Sequence, residues 1–360
     1  MNNYLGEIIM EPLKIGIVGA GAIAQRNARE SMIAGLTEIV GVFDVNHKVA
    51  RDMASSLKTN FYSNYDELLN LDKLEAVLIS TPHYLHKDQA IQAANKKKHV
   101  LIEKPLANNL EEAQDIIKCC KENKVKLTVN YSFRYLPKIQ KAKELIEKGV
   151  LGEIKGIQII AHQYKDPGYW TGARSNSPDT WRASKAKSGG GLLIMTTCHA
   201  IDYIYYITGL KATRIYCEYD TLNSSAEVED ILSLTCRFDN GSIGVISASS
   251  IMRGMEQVEE RIWGNKGSMV LDAQGILFYS TRRIDGFKPG KLHKIKKFRD
   301  ISWTREWVKE FVFSVRNGKT PLISSVEGWE NLAFINAAYE SLNISSPVTI
   351  SKFEERWGGN

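Results

Sequence analysis

The sequence predicts two domains: an α/β N-terminal domain built on a doubly wound parallel sheet, then an α+β C-terminal domain with a large, mostly antiparallel open sheet. Three observations carry this. The chain has 360 residues, and at roughly 100 to 200 residues per domain that length suits two. Before about residue 130, short β-rich apolar runs alternate with longer helical patterns, the signature of parallel strands covered by helices. After Gly149 the runs lengthen and alternate with period two, as in a sheet covered on one face. The boundary falls between residues 128 and 129, giving domains 1–128 and 129–360.

In the first domain the strands are Leu13 to Val18, Glu38 to Phe43, a short one near Phe61, Ala76 to Ser80, Val100 to Glu103 and Leu127 to Asn130. Helical patterns such as Ala22 to Ala34 and Asn109 to Asn123 separate them. In the second domain the alternating runs are Ile154 to Tyr164, Arg214 to Tyr219, Ile231 to Phe238 and Ser242 to Ser249. The last two flank Asp239-Asn240-Gly241, whose Asn-Gly pair tolerates positive φ and favours a hairpin. Trp303 to Arg316 and Val326 to Leu342 read as amphipathic helices, the first stopped by Asn317-Gly318. These helices can cover only one sheet face, so the other is expected to mediate a homodimer or homotetramer.

Hydrophobic residues make up 43% and charged residues 24%, which disfavours disorder and fibrous classes. The longest apolar candidate, Leu192 to Ile207, carries His199 and Asp202 and is too short and too polar to span a bilayer. The N-terminus lacks the basic start and apolar stretch of a secretory signal, and a cytoplasmic location is expected. Five cysteines, with Cys119 and Cys120 adjacent, show neither zinc-ribbon spacing nor a disulfide framework. The net charge of +6 is mild, and the basic runs Lys96 to Lys98 and Lys291 to Lys297 read as a helix end and an exposed strand. No nucleic-acid or membrane partner is implied.

Gly19-Ala20-Gly21-Ala22-Ile23-Ala24 follows the first strand and opens the first helix, the context in which G-x-G-x-x-G/A signals a dinucleotide. Gly19 permits the tight turn, Gly21 lets the backbone approach a pyrophosphate, and Ala24 lets the helix pack close to the sheet. Asp44 ends the second strand, where a carboxylate meets a ribose 2′-hydroxyl, so this is a Rossmann domain expected to bind NAD. NADP stays open because His47 and Lys48 lie near. Ser80-Thr81-Pro82-His83-Tyr84-Leu85-His86 and Glu103-Lys104-Pro105 follow the fourth and fifth strands, at the sheet edge where ligands of this fold bind.

The glycine fingerprint, the T-P-x-x-x-H segment, Glu103-Lys104-Pro105, Gly189-Gly190-Gly191 and Cys198-His199-Ala200-Ile201-Asp202 together resemble the glucose–fructose oxidoreductase, inositol dehydrogenase and MocA family. The resemblance spans most of the chain. It implies that Lys104 contacts the reacting hydroxyl, Glu103 a ribose hydroxyl, and that Pro105 follows a cis peptide. It also implies that His199 is the acid/base partner from the second domain, with Asp202 on its helix. Ala22, Ile23, Ser80, Thr81, Pro82, His86 and Arg134 complete the expected cofactor-binding set. A lysine beside a developing alkoxide stabilises its charge, and lysine with histidine can do this without a metal.

One position departs from the family pattern. Relatives that oxidise cyclitols or sugars commonly have an aspartate one helical turn before the histidine, and here that residue is Met195. The long segment Tyr164 to Ser188 is rich in Gly, Ser, Asn and Pro and holds aromatic and basic side chains. Aromatic faces beside Arg, Asn and Asp suit a polyhydroxylated ring. Tyr164, Trp170, Arg174, Trp181, Arg182 and Met195 therefore join Lys104 and His199 as expected substrate contacts. Arg174 could equally meet a carboxylate or phosphate. The leading expectation is a nicotinamide-dependent dehydrogenase or reductase acting on a secondary hydroxyl or keto group of a sugar, sugar derivative or cyclitol. A non-catalytic sugar sensor and a glycoside-cleaving enzyme of the same family are the alternatives.

Overall fold

The structure is a computed structural model describing residues 11–33, 35–171 and 180–350. β1 (Leu13–Val18), β2 (Thr37–Phe43), β3 (Phe61–Tyr62), β4 (Ala76–Ile79), β5 (His99–Ile102) and β6 (Leu127–Val129) form one sheet in the order β3-β2-β1-β4-β5-β6. Every pairing in it is parallel. Parallel neighbours require crossovers, supplied by α1 (Ala22–Ile33), α2 (His47–Leu57), α3 (Tyr65–Leu69), α4 (His86–Asn95) and α5 (Leu110–Glu122). Because helices cover both faces, these strands are apolar on both sides, and Leu13, Ile15, Ile17 and Val18 are fully buried. The strand order reverses between β1 and β4, which opens a crevice at their carboxyl ends.

α6 (Pro137–Glu147) leads to β7 (Ile154–His162), after which the chain runs through α7 (Pro167–Thr171), α8 (Lys185–Ser188), one wide π-helical turn (Leu193–Thr197) and α9 (Cys198–Thr208). It then forms β8 (Ala212–Asp220), β9 (Ile231–Phe238), β10 (Ile243–Ser249), β11 (Gln257–Gly264), β12 (Gly267–Asp272), β13 (Gly275–Ser280) and β14 (Lys291–Ile295). α10 (Trp303–Arg316), α11 (Ser325–Asn343) and β15 (Val348–Thr349) close the described chain. The second sheet has nine strands in the order β14-β13-β12-β11-β7-β10-β9-β8-β15. It is antiparallel except where β7 meets β10. That parallel pair arises because the chain leaves β7 through helices and re-enters at the far side of the sheet. Gly241, at φ +82°, turns the expected β9–β10 hairpin.

Alternation along β9 turns Leu232, Leu234, Cys236 and Phe238 toward the helices and Ser233, Thr235 and Arg237 outward. The outward face leaves Tyr216, Ile243, Val245 and Trp263 exposed. The last two long helices return to the first sheet. Trp307, fully buried on α10, donates from Nε1 to Thr128 Oγ1 at 3.0 Å, and that hydroxyl donates to Ile323 O at 2.8 Å. Gly328 on α11 is there for space, since a Cβ would stand 2.8 Å from Val129 Cγ2 on β6. The two sheets are thus joined by packed helices, with the crevice of the first facing the helical segments of the second.

Candidate active site

A cleft of about 720 Å³ runs along the carboxyl edge of the parallel sheet, within the size range of small-molecule sites. Gly19 forms its floor at φ +88°, where a Cβ would stand 2.9 Å from Ser80 O. Gly21 faces open space, with no atom within 4 Å of where a Cβ would be. Asp44 lines the same end, its carboxylate accepting from Ala20 N (2.7 Å) and Asn46 N (2.8 Å). Ser80, Thr81, Pro82, Ala22 and Ile23 also line it, and the buried Ser80 hydroxyl has no protein partner among the described residues. A positive-φ glycine turn, free space beside Gly21 and a fixed carboxylate together fit a dinucleotide.

Glu103 and Lys104 stand at the middle of the cleft. Glu103 Oε1 accepts from Asn27 Nδ2 and Asn130 Nδ2, both at 2.6 Å, so two amides from α1 and the end of β6 aim the carboxylate. Lys104 reaches across to the second unit and donates from Nζ to the carbonyl of Met195. The Lys104–Pro105 bond is cis. Met195 is buried in the π-helical turn, and Tyr169 Oη lies 3.7 Å from its sulfur.

His199 enters from the first turn of α9 and lines the cleft with Lys104. Its ring stacks on Phe133, with centroids 4.3 Å apart, and Nδ1 has no protein partner among the described residues. Burial holds its pKa well below the usual histidine range, and the nearby charges of Lys104 and Arg26 push the same way. The imidazole is therefore neutral at neutral pH.

Five expected residues lie elsewhere. Arg134 is buried in a two-point ion pair with Asp202 (2.9 and 2.7 Å) behind the cleft, so it supports α9 instead of lining the cofactor end. His86 is fully buried, its ring nitrogens reaching Pro105 O and Thr81 O. Its neighbour His83 lines the cleft, with Nδ1 at 2.8 Å from Ser188 O. Trp170 is turned into the core by the short α7, and Tyr169 lines the cleft in its place. The Tyr164 ring lies under Arg253, outside the cleft. Ala24 is buried on the sheet-facing side of α1, where its small size lets the helix approach the sheet. Trp181, Arg182 and Met195, expected as substrate contacts, line the cleft. Arg174 lies outside the described residues.

Sequence reasoning missed Arg26, Phe133, Tyr169 and Trp303, which also line the cleft, and the two asparagines that orient Glu103. Asn130 was findable as the polar residue ending an apolar strand. Trp303 had no local signal, because α10 reaches the cleft only through tertiary packing. No group of three or more metal-ligating side chains occurs among the described residues, and no described helix is long and apolar enough to cross a membrane.

Fold and cleft together define a dinucleotide-binding protein of the two-domain oxidoreductase type. The chain belongs to the GFO/IDH/MocA oxidoreductase family: residues 13–131 match its NAD-binding Rossmann fold and residues 139–270 its C-terminal domain. Glucose-6-phosphate 3-dehydrogenase of Bacillus subtilis is 34% identical over 195 residues, covering 54% of this chain and 53% of that protein. Myo-inositol 2-dehydrogenase of Thermotoga maritima is 25% identical over 94% of this chain and 99% of its own length. Among solved structures, levoglucosan dehydrogenase in complex with NADH and levoglucosan superposes with a TM-score of 0.84 at 21% identity, covering 95% of this chain and 100% of that one.

Proposed function

We propose that this protein transfers hydride between NAD and a secondary hydroxyl or keto group of a sugar, sugar derivative or cyclitol. The observation that carries the reading is the meeting of Lys104, from the first domain, with His199, from the second, in one cleft whose far end fits a dinucleotide. The names of the relatives, dehydrogenases of a phosphorylated sugar, a cyclitol and an anhydrosugar, support it. Residues 1–128 form the nucleotide-binding unit in this reading and 129–360 the substrate and assembly unit.

The glycine turn would hold the pyrophosphate, Asp44 and Glu103 the ribose hydroxyls, and NAD supplies the hydride acceptor when bound. Lys104 has three donors and spends one on Met195 O, leaving others for the substrate oxygen. Its charge stabilises the alkoxide that develops as the hydroxyl proton leaves. Neutral His199 takes that proton in oxidation and returns it in reduction. Met195 contributes its carbonyl to place Lys104, so no carboxylate at that position is needed to fix the lysine.

The open face of the nine-stranded sheet, with its exposed apolar side chains, pairs copies of the chain into a homodimer or homotetramer. Five unpaired cysteines, four of them buried, suit the reducing cytoplasm. Incubation with NAD and a panel of sugars and cyclitols, followed by absorbance of reduced nicotinamide, tests the activity. Absence of any NAD-linked turnover across the panel, in either direction, would overturn it.

A further inference from the structure

Building on the reading of the cleft as a sugar-oxidising site, we infer that its substrate is anionic, a sugar bearing a phosphate or carboxylate group that Arg182 receives. Arg182 lines the cleft beside Trp181, Tyr169 and His83. Its guanidinium stands 4.6 Å from the Trp181 ring centroid and 5.5 Å from that of Tyr169. Two aromatic faces thus fix the direction of a side chain that would otherwise sample many rotamers. A second cation, Lys165, stands 5.5 Å from the same Tyr169 ring.

The charges lining the cleft are segregated. Its described acids are Asp44 and Glu103, both on the nucleotide-binding sheet and both already held by protein donors. The wall from the second domain, formed by Tyr169, Trp181, Arg182, Met195 and His199, contributes no acid among the described residues. Arg182 forms no ion pair among the described residues, and neither does Lys104. His83, which lines the same cleft, is held well below the usual histidine range by burial and by the neighbouring His86, Lys104 and Arg182.

A neutral polyol entering this space would strip water from Arg182 without replacing its charge partner, which costs free energy. A phosphate or carboxylate offers the planar fork two acceptors at once. The anion sits on the Arg182 side of the cleft while the reacting carbinol meets Lys104, so one end of the substrate is held and the other reacts.

The test uses the purified protein saturated with NADH and three matched series: D-glucose, D-galactose and N-acetyl-D-glucosamine, each as the neutral sugar, the 6-phosphate and, for the first two, the uronic acid. Titration calorimetry reads binding, and NAD-linked turnover is followed in parallel. In at least one series an anionic form should bind ten- to a hundredfold more tightly than its neutral parent, the range expected for hydrogen bonds to a charged group. Whether phosphate or carboxylate wins identifies the source of the charge. Arg182→Met should reduce the ratio to within threefold and Arg182→Lys should keep part of it, with thermal melting checking that both fold. No preference in any series, or a preference that survives in Arg182→Met, overturns the inference. An anion preference without turnover leaves the inference standing and sinks the oxidoreductase reading, whereas turnover of neutral sugars without preference does the reverse.

Discussion

Glu229 is the residue whose replacement tests most directly how the second domain places Met195 and His199 in the cleft. It is 2% exposed, with Oε2 accepting from Gly191 N at 2.8 Å and Oε1 accepting from Leu193 N and Tyr339 Oη, both at 2.9 Å. These bonds pin the start of the segment that carries Met195 and His199. Gly191 is needed there because a Cβ would stand 2.2 Å from Glu229 O. Burial raises the carboxyl above its ordinary pKa while the three donors pull it back. Glu229→Gln keeps the shape but presents an amide NH2 to at least one of those donors. Losing one or two hydrogen bonds to a charged group costs about 1.5–3 kcal/mol each, part of it recovered because a buried charge disappears. The expected net loss is about 2–4 kcal/mol, read from urea unfolding at pH 7. At a temperature where circular dichroism shows the variant fully folded, kcat should fall roughly tenfold with NAD affinity unchanged, because a shift of under 1 Å in His199 suffices. A variant with wild-type unfolding midpoint and wild-type kcat would refute this positioning role.

Four further outcomes follow from the same geometry. Lys104→Ala should lower kcat by about 10³-fold or more with NAD binding nearly intact, while His199→Ala should cost on the order of 10² to 10⁴, measured on the true substrate; near-wild-type turnover in Lys104→Ala would make the lysine structural. The acid limb of kcat/KM for oxidation should lie below pH 6.5, because the depressed His199 pKa keeps the base unprotonated there; a limb at or above 7 contradicts the assignment. Asp44→Ser should shift the NAD-to-NADP ratio of kcat/KM by about 2 kcal/mol toward NADP, as removal of a carboxylate facing a 2′-phosphate allows, and a wild type that prefers NADP would contradict the reading. Burial holds the His86 pKa at about 4, below the unfolded value near 6.5, so its stabilising contribution is complete above about pH 6.5 and lost as pH falls toward 4. The full loss is roughly 3 kcal/mol, and His86→Gln should flatten the dependence of the urea midpoint on pH across that window.

The parallel sheet was legible because its central strands are buried on both faces and read as short apolar runs, each followed by a turn that lines the cleft. Gly19 and Asp44 could be placed from spacing alone, since the turn after β1 and the end of β2 are adjacent in any sheet of this order. The second sheet was legible as strands but not as a pairing: nothing local to Ile154–His162 says that its neighbour Ile243–Ser249 runs parallel to it. Side-chain direction was the harder problem. In the four residues from His83 to His86 the chain makes a tight helical turn and starts α4, and a single step along it decides which histidine faces the cleft. The same one-step ambiguity exchanged Tyr169 for Trp170.

Arg134 shows what spacing could not reveal. His199 and Asp202 lie three residues apart on α9, close to one face, yet one enters the cleft and the other turns back to Arg134 in the segment after β6. A buried ion pair of this kind contributes little net stability once desolvation is counted, but removing either partner strands a charge, so it specifies how α9 packs against the segment after β6. In the π-helical turn that leads into α9 Lys104 donates to Met195 O, and at and just before the start of that turn Glu229 takes the backbone N–H groups of Leu193 and Gly191. Three polar ties from three directions converge on one segment, while His199 itself makes no hydrogen bond through Nδ1 among the described residues. The supporting groups are satisfied and the imidazole is left open, which is the arrangement that the proposed role of His199 as a base toward the substrate requires.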